Sequence, residues 1–592
     1  MPKHWIIADE PTAEFYNEHP ELPPLVVRLL WNRNLRTQTE IDEFLNPDYS
    51  SDLHDPFLFN DMDKACGIIF GALSDQKKIM VHGDYDADGV CAATLIISCL
   101  RKFGGQNIEA FLPHRETDGY GLNMNTVKSF AEQGVNLIIT CDCGISNTAE
   151  ITLAKELGME VIVTDHHSMP SVLPPADAII HPLVPGENYP DKKLAGGGVA
   201  FKLVQALLKK HKEAGGVLMD GQTHESFEKW SIDLAAIATI GDMVPLTGES
   251  RTITKYGLTV LNKTKNIGLQ KLFQVAKIWD ETNAPKHGEI DSETVAFKLV
   301  PRINAAGRMA HANVALELLL ADNGFDAINL ADRLNQNNLE RQKLTEQLLD
   351  EAHKQIKNEK QENNSIIFIL GEGWATGILG LIAGRLKDEY ARPVIVMGKK
   401  DDKITGSGRS IPEYSIIGAL QSIPQYFENF GGHPQACGFS LKSVAVLDVF
   451  KNALLEDATQ KLKDIDLTPS LKIDSVINLE DITWELYDVL QNFAPFGQKN
   501  EAPLYVAYGL TIVSVDPVGQ EGKHLRLLAK HNSHIVKKII GFGLGDTNKH
   551  PENWRQELRP GVKIDLVFKI SLNEWNGNRE LQLTVEDIKK SA

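Results

Sequence analysis

Ile79-Met80-Val81-His82-Gly83-Asp84-Tyr85-Asp86-Ala87-Asp88-Gly89 joins a short β-rich run to a loop carrying three aspartates. A helical stretch, Ala92–Phe103, follows. The same grammar recurs further along the chain. The run Leu137–Thr140 ends at Cys141-Asp142-Cys143-Gly144, and Val161–Thr164 ends at Asp165-His166-His167. A fourth run, Ala178–His181, completes the series, and Asn125–Gln133 and Thr148–Leu157 read as intervening helices. Leu194–Lys210 and Ile232–Ile240 extend the pattern, the latter running into Gly241-Asp242-Met243-Val244-Pro245. Short apolar strands alternating with helices predict a parallel, doubly wound α/β sheet.

In such a sheet the carboxyl ends of the strands line one crevice, where ligands bind. Four segments would therefore bring carboxylates and imidazoles to one place. Carboxylates that close repel and take up protons unless a cation neutralises them. A mixed Asp/His shell suits Mn²⁺ or a similar divalent ion, and two ions sharing a bridging Asp suit so many carboxylates. Taken singly, each Asp reads more simply as a helix cap or turn former. The Asp84–Gly89 loop also resembles a calcium loop, but it lacks the trailing Glu. The coincidence of four such segments carries the metal reading.

The rest of the chain reads as further domains. Of 592 residues, 42% are hydrophobic and 24% charged, with 61 basic and 79 acidic side chains and a net charge of −18. That is an ordinary globular composition, with no run approaching the ~20 apolar residues of a membrane span. Six scattered cysteines do not make a disulfide framework or paired zinc knuckles, so reduced thiols in the cytoplasm are expected. Residues 1–50, rich in proline, read as an irregular lead-in with one or two helices. Residues 51–320 form the first α/β domain, and 321–362 a polar connector helix. Residues 363–464 are a second α/β segment, and 465–592 a set of short strands suited to a small β-barrel. Residues 499–592 hold 14 basic and 11 acidic residues, a net +3, whereas the remainder carries −21. Within them Lys523, Arg526, Lys530, Lys537 and Lys538 form a basic strip with no acid in sequence between them, a candidate polyanion contact.

GDYDADG, CDCG, TDHH and IGDMVPL, in that order, resemble the four motifs of the DHH phosphoesterase superfamily. Within it the chain is similar to the RecJ family of single-strand-specific 5′→3′ DNA exonucleases. The likeness extends to Pro301-Arg302-Ile303-Asn304-Ala305-Ala306-Gly307-Arg308 and to Leu334-Asn335-x-x-Asn338-x-x-Arg341-Gln342. Gly431-Gly432-His433-Pro434-Gln435-Ala436-Cys437-Gly438 resembles the DHHA1 signature. Pro495-Phe496-Gly497-x-x-Asn500-x-x-Pro503 resembles the start of the family's OB-fold.

The resemblance implies Asp86, Asp88, Asp142, His166 and Asp242 as catalytic metal ligands for two Mn²⁺ or Mg²⁺ ions, with Asp142 and Asp242 shared. Asp84 and His167 would stand beside them as ligands or orienting groups, and His82 would be either a ligand or a buried strand histidine. It implies Arg115, Ser407 and Arg409 at the terminal 5′-phosphate. Arg302, Asn304, Arg308, Arg341 and His433 become candidate strand contacts, or for the polar groups of 302–341 equally a domain-interface network. Where the family usually reads Trp-His-x-Gly, this chain has Trp374-Ala375-Thr376-Gly377.

The implied reaction is phosphodiester hydrolysis by an activated water, without a covalent intermediate, releasing 5′-mononucleotides in DNA recombination and repair. The barrel would hold the trailing strand, with Phe542 and Trp575 as stacking candidates. Expected partners are single-stranded DNA, a helicase and a single-strand-binding protein, with the chain a monomer. Two rivals are a small-substrate phosphoesterase of the superfamily and a non-catalytic replication scaffold on the same fold. The residues past 465 argue against the first, and the intact metal motifs against the second.

Overall fold

The computed structural model describes the whole chain except residues 1–2, 116, 287, 532–533, 547–551, 576–577 and 592, together with the side chains of 575 and 578. Its first sheet is all-parallel, in the spatial order Ile108–Phe111, Ile79–Gly83, Leu137–Cys141, Glu160–Thr164, Ala178–Ile180. The three central strands are buried along nearly their whole length, which is why they read as continuous apolar runs rather than alternating ones. The first strand in sequence lies between the second and third. The direction of winding therefore reverses between Ile79–Gly83 and Leu137–Cys141, and a crevice opens at their carboxyl ends. Helices Ala87–Lys102, Gly196–Glu213 and His224–Gly241 share one core with the sheet.

Helix Gly324–Asn358 spans 35 residues, about 52 Å at ~1.5 Å per residue. Its first half buries Ala327, Ala331 and Leu334 in the core of the first domain. Its second half buries Leu348, Leu349, Ala352 and Ile356 against a second sheet. A polar helix with a short apolar stripe at each end thus joins two cores. That second sheet is mixed, ordered Phe427–His433, Ala436–Leu441, Lys403–Arg409, Val394–Lys400, Ile367–Glu372.

In the C-terminal region Tyr505–Val518, His524–Lys530, Val536–Gly541, Asn578–Lys590 and Lys563–Trp575 pair in sequence around a ring. Lys563–Trp575 closes it back onto Tyr505–Val518. Tyr505–Val518 is one long strand, although the short apolar runs Leu504–Val506 and Leu510–Val513 within the sequence are separated by Ala507-Tyr508-Gly509. The register shifts between Ala507 and Leu510, and Gly509 sits there at φ +65°, so a bulge rather than a turn interrupts the pattern.

The first fifty residues correct the reading of an irregular lead-in. They form a strand, His4–Ile7, and helices Ala13–Glu18, Pro24–Asn32 and Gln38–Leu45. The strand pairs in parallel with Ser470–Ile473. Phe15, Val26, Val27, Leu29, Leu30, Ile41 and Phe44 share a core with barrel residues such as Phe493, Leu510 and Phe568. Their apolar face has its complement more than 400 residues away, so no local pattern could reveal it.

Candidate metal centre and phosphate-binding cleft

Asp84 and Asp86 follow the first strand, and Asp142 follows the third across the reversal point. Asp86 caps helix Ala87–Lys102, its Oδ1 accepting from the backbone N–H of Asp88 (2.9 Å) and of Gly89 (3.2 Å). The simple capping role and a place in the acidic cluster therefore coexist in one residue. Asp88 turns toward the start of helix Gly196–Glu213, where the N–H groups of Gly196 and Gly197 donate to its carboxylate at 2.8 and 2.5 Å. Asp142 is held in the left-handed region at φ +61° and is buried. For a non-glycine residue that conformation is costly, and such strain concentrates at functional sites. Asp242 ends helix His224–Gly241.

Three overlapping donor sets result, each with its ligand atoms within 4.8 Å of one another: Asp84/Asp86/Asp142, Asp142/His166/His167 and Asp88/His166/Asp242. His166 Nε2 stands 3.1 Å from Asp142 Oδ1, 3.5 Å from Asp242 Oδ2 and 3.7 Å from Asp88 Oδ2. Asp142 belongs to two sets, whereas Asp242 reaches only one. The fit to a cation is visible in what these groups lack. Asp84 Oδ1, Asp142 Oδ1 and His166 Nε2 are buried with no hydrogen-bond partner among the described residues. Buried polar atoms are ordinarily paired, so orphans aimed at one another are the donor set of an ion.

The electrostatics agree. Burial, then the charge of Asp86, pushes the Asp88 carboxyl up to about 7. Burial with Asp88 and Asp86 raises Asp242 to about 8. Asp84 and Asp142 are likewise raised well above the carboxylate range. Without a cation the cleft therefore holds protons. Burial pulls His166 down to about 4, leaving its imidazole neutral and able to ligate. His167 is the opposite case. Burial opposes its charge, but the hydrogen bond from its Nδ1 to Asp165 (2.8 Å) holds it up at about 9.

His82 is fully buried beside Phe111 and Phe130, with Nδ1 3.6 Å from Cys143 Sγ, and belongs to none of the donor sets. Two features escaped the sequence reading. Asp165, the first residue of Asp-His-His, accepts from the backbone N–H of Ile145, His166 and His167 and so fixes both histidines. The three glycines 196–198 are the other. A Cβ on Gly196 would meet Asp142 Oδ1 at 2.6 Å, so the close approach of this helix to the carboxylates requires glycine. The signal for the first lay in the quoted motif, and for the second in a glycine triplet opening an apolar helix.

The arginines converge from all sides of the cleft. Arg115 lies over the Tyr85 ring at 3.9 Å. Arg308 donates to the Gly377 carbonyl at 2.8 Å. It is held down to about 10 by burial and then by the charges of Arg115, Arg341 and Arg409. Arg409 donates to Ser407 Oγ at 3.2 Å, and its charge lowers exposed His433 after burial does. Arg341 likewise feels Arg385, a residue the sequence reading did not single out, and Arg302. Arg302 donates to Asn335 Oδ1 of the connector helix at 3.0 Å, and Asn304 Oδ1 accepts from the Ala87 N–H at 2.6 Å within the first domain. Ala375 caps helix Thr376–Tyr390 without a side-chain bond.

The basic strip of the barrel is a different matter. Arg526 pairs with Asp516 (3.3 Å), Lys538 with Glu580 (2.8 Å) and Lys523 with Glu521 (3.5 Å), while Lys537 donates to the Ile482 carbonyl (2.6 Å). Neighbouring strands bring in acids that the linear strip lacks. Phe542 is 64% exposed rather than core, and the Trp575 side chain lies outside the described residues.

Comparison with known proteins fits this anatomy. Residues 78–239 match the DHH family, N-terminal domain; 362–463 match the DHHA1 domain; 473–587 match the RecJ OB domain. The single-stranded-DNA-specific exonuclease RecJ of Bacillus subtilis is 36% identical over 98% of this chain and 70% of its own length. The chain belongs to the RecJ family. The Escherichia coli RecJ is 31% identical, with 96% of each chain covered. The crystal structure of Thermus thermophilus RecJ in complex with Mn²⁺ superposes with a TM-score of 0.81 at 28% identity, covering 100% of this chain and 80% of that one. A further RecJ structure, bound to manganese, has a TM-score of 0.57 at 33% identity over 69% of this chain and 98% of that one. Among the described residues no helix is long and apolar enough to cross a membrane.

Proposed function

We propose that this RecJ-family chain is a metal-dependent, single-strand-specific 5′→3′ exodeoxyribonuclease that releases 5′-mononucleotides. The observation that carries it is one cleft with two walls. Orphaned Asp and His ligand atoms occupy one, and arginines that form no close carboxylate ion pair among the described residues occupy the other. Asp84, Asp86, Asp88, Asp142, His166 and Asp242 would hold Mn²⁺ or Mg²⁺, and the overlapping donor sets suit two ions with Asp142 shared. Such ions activate water and stabilise charge on the phosphoryl oxygens.

The chain's own groups do the rest. Asp165 holds both histidines through backbone and side-chain bonds, keeping His166 directed at the carboxylates. Arg115 and Arg409, with Ser407, fit a terminal phosphate by planar, multiply donating contacts. Anchoring the terminus at one end of the cleft sets which phosphodiester lies over the acidic cluster. Exonucleolytic action and polarity follow from that single anchor.

The working domain division is 1–50, 51–320, 321–362, 363–464 and 465–592, with the first segment docked on the last. A strand becomes accessible to such an enzyme only when unpaired, so a helicase and a single-strand-binding protein are fitting partners. The chain is taken to act as a monomer. All six cysteines are free thiols, which suits the bacterial cytoplasm. Digestion of 5′- and 3′-labelled single strands and duplexes with Mn²⁺, Mg²⁺ or chelator tests the proposal. The expected result is mononucleotide release from the 5′ end of single strands only, abolished by chelator. Release from the 3′ end, or equal action on duplex, overturns it.

A further inference from the structure

Phe297 is 75% exposed, one of the two most exposed phenylalanines among the described residues. It lies in Val295–Leu299, a π-helical turn that leads without a break into helix Val300–Met309. Such widened turns inside helices occur frequently at functional sites. What surrounds the turn gives it a direction. Ser292, just before it, donates to the Phe496 carbonyl of the segment leading into the barrel (2.6 Å). Val300, just after it, packs at the metal cleft, where a Cβ on Gly241 would meet Val300 Cγ2 at 3.2 Å. Asn304 reaches Ala87, beside Asp86, and Arg308 reaches Gly377 and the phosphate-binding arginines.

Positions 300, 304 and 308 therefore form one face of a ruler from the acidic cluster to the terminal-phosphate pocket. Phe297 lies in the widened turn between Ser292, which meets the segment leading into the barrel, and Val300 at the cleft, and its ring is exposed there rather than packed with that face. The eleven steps along the helix from Phe297 to Arg308 span about 16 Å. Lys298 next to it is exposed, and Arg302 lies one turn further on, so an apolar ring stands beside cations. Met243, 70% exposed in the left-handed region at φ +58°, directly follows the ligand candidate Asp242 on the facing segment.

We infer that Phe297 is a base-stacking residue that receives an unpaired nucleobase on the 3′ side of the scissile nucleotide, between the metal cleft and the barrel. The ligand is a single-stranded nucleic acid, because an exposed aromatic face flanked by cations takes a base and its phosphates together, whatever the base. The inference rests on the function proposed above. It adds a contact that grips the strand without touching the reacting phosphate. Phe297 would then act on KM and leave kcat nearly unchanged.

The experiment is steady-state hydrolysis of 5′-phosphorylated oligonucleotides carrying one abasic residue at successive positions from the 5′ end, with full-length wild type, Phe297→Ala and Phe297→Trp. For wild type, one abasic position within the first several nucleotides should raise KM roughly 5- to 100-fold. Phe297→Ala should raise KM by a similar factor on intact strands, keep kcat, and show no further penalty at that position. Phe297→Trp should restore tight binding. Thermal melting checks that both variants fold, as expected for so exposed a side chain. Wild-type KM in Phe297→Ala, or an undiminished abasic penalty in it, overturns the inference alone. A wild-type chain that leaves single strands intact overturns the proposed function and the inference with it.

Discussion

The metal cleft and the barrel treat their charges in opposite ways. In the cleft, arginines from the first domain, the connector helix and the second sheet face one another, and carboxylates crowd until burial and mutual repulsion raise them to about 7 and 8. Among the described residues Arg115, Arg302, Arg308, Arg341, Arg385 and Arg409 form no carboxylate ion pair; the arginine ion pairs there are those of Arg28, Arg33 and Arg526. In the barrel, Lys538, Arg526, Lys569 and Lys590 each meet an acid across a strand or at its end. Exposed pairs of that kind contribute little stability and leave the surface almost neutral. Charge left uncompensated at close quarters is unstable by itself and marks where a ligand of the opposite sign completes the structure. Charge already compensated marks only a solvated face. The raw sequence suggests the reverse emphasis, because a basic strip without acids lies in the barrel.

Removing a shared acidic ligand should have the largest effect. Asp142→Ala should lower turnover by at least about 10²–10³-fold. Circular dichroism should show the fold intact, and the melting temperature without metal should be unchanged or higher, since a crowded carboxylate is gone. Near-normal turnover in a folded, metal-loaded variant would break the account of the cleft.

The arginines come next. Arg115→Ala or Arg409→Ala should weaken action on 5′-phosphorylated ends by roughly 10- to 100-fold, the worth of one or two charge-assisted hydrogen bonds. The loss on 5′-hydroxyl ends should be several-fold smaller. Equal losses on both would assign these arginines to holding the domains together.

The pH dependence of stability sharpens the contrast. Asp88 and Asp242 are raised in the folded chain to about 7 and about 8, so the folded state binds more protons than the unfolded state between about pH 4 and 8. Stability of the chelated protein should therefore fall as pH rises through that window. Mn²⁺ should raise the melting temperature more at pH 8 than at pH 5, because ligation requires the deprotonated carboxylates. Scanning calorimetry with and without chelator would show it, and a flat profile would contradict the crowding.

The barrel should give the smallest response. Replacing Arg526 and Lys538 together with Ala should change kcat/KM on long single strands less than about threefold, since each is already paired. The salt slope of strand binding should fall by less than the roughly one unit expected for each lost phosphate contact. A drop of two units would show that these side chains leave their acids for phosphates, and the contrast between the two regions would disappear.

The sequence by itself determined the doubly wound sheet, the connector helix and the strand-rich C-terminal region, because apolar periodicity and turn residues are local properties that each segment carries with it. It also located Asp84, Asp86, Asp88, Asp142, His166, His167 and Asp242 at strand or helix ends, where the topology of any such sheet directs them to one crevice. Only the tertiary structure decided what depends on contacts between distant segments. It showed that Asp165 orients the histidines, that Gly196 and Gly197 bring a helix end onto Asp88, and that Arg385 joins the arginine cluster. It showed that the first fifty residues complete the barrel's core, and that Asp516 and Glu580 pair with Arg526 and Lys538 of the basic strip. Burial and charge compensation are sums over neighbours in space, and for these residues the neighbours come from other elements of the chain.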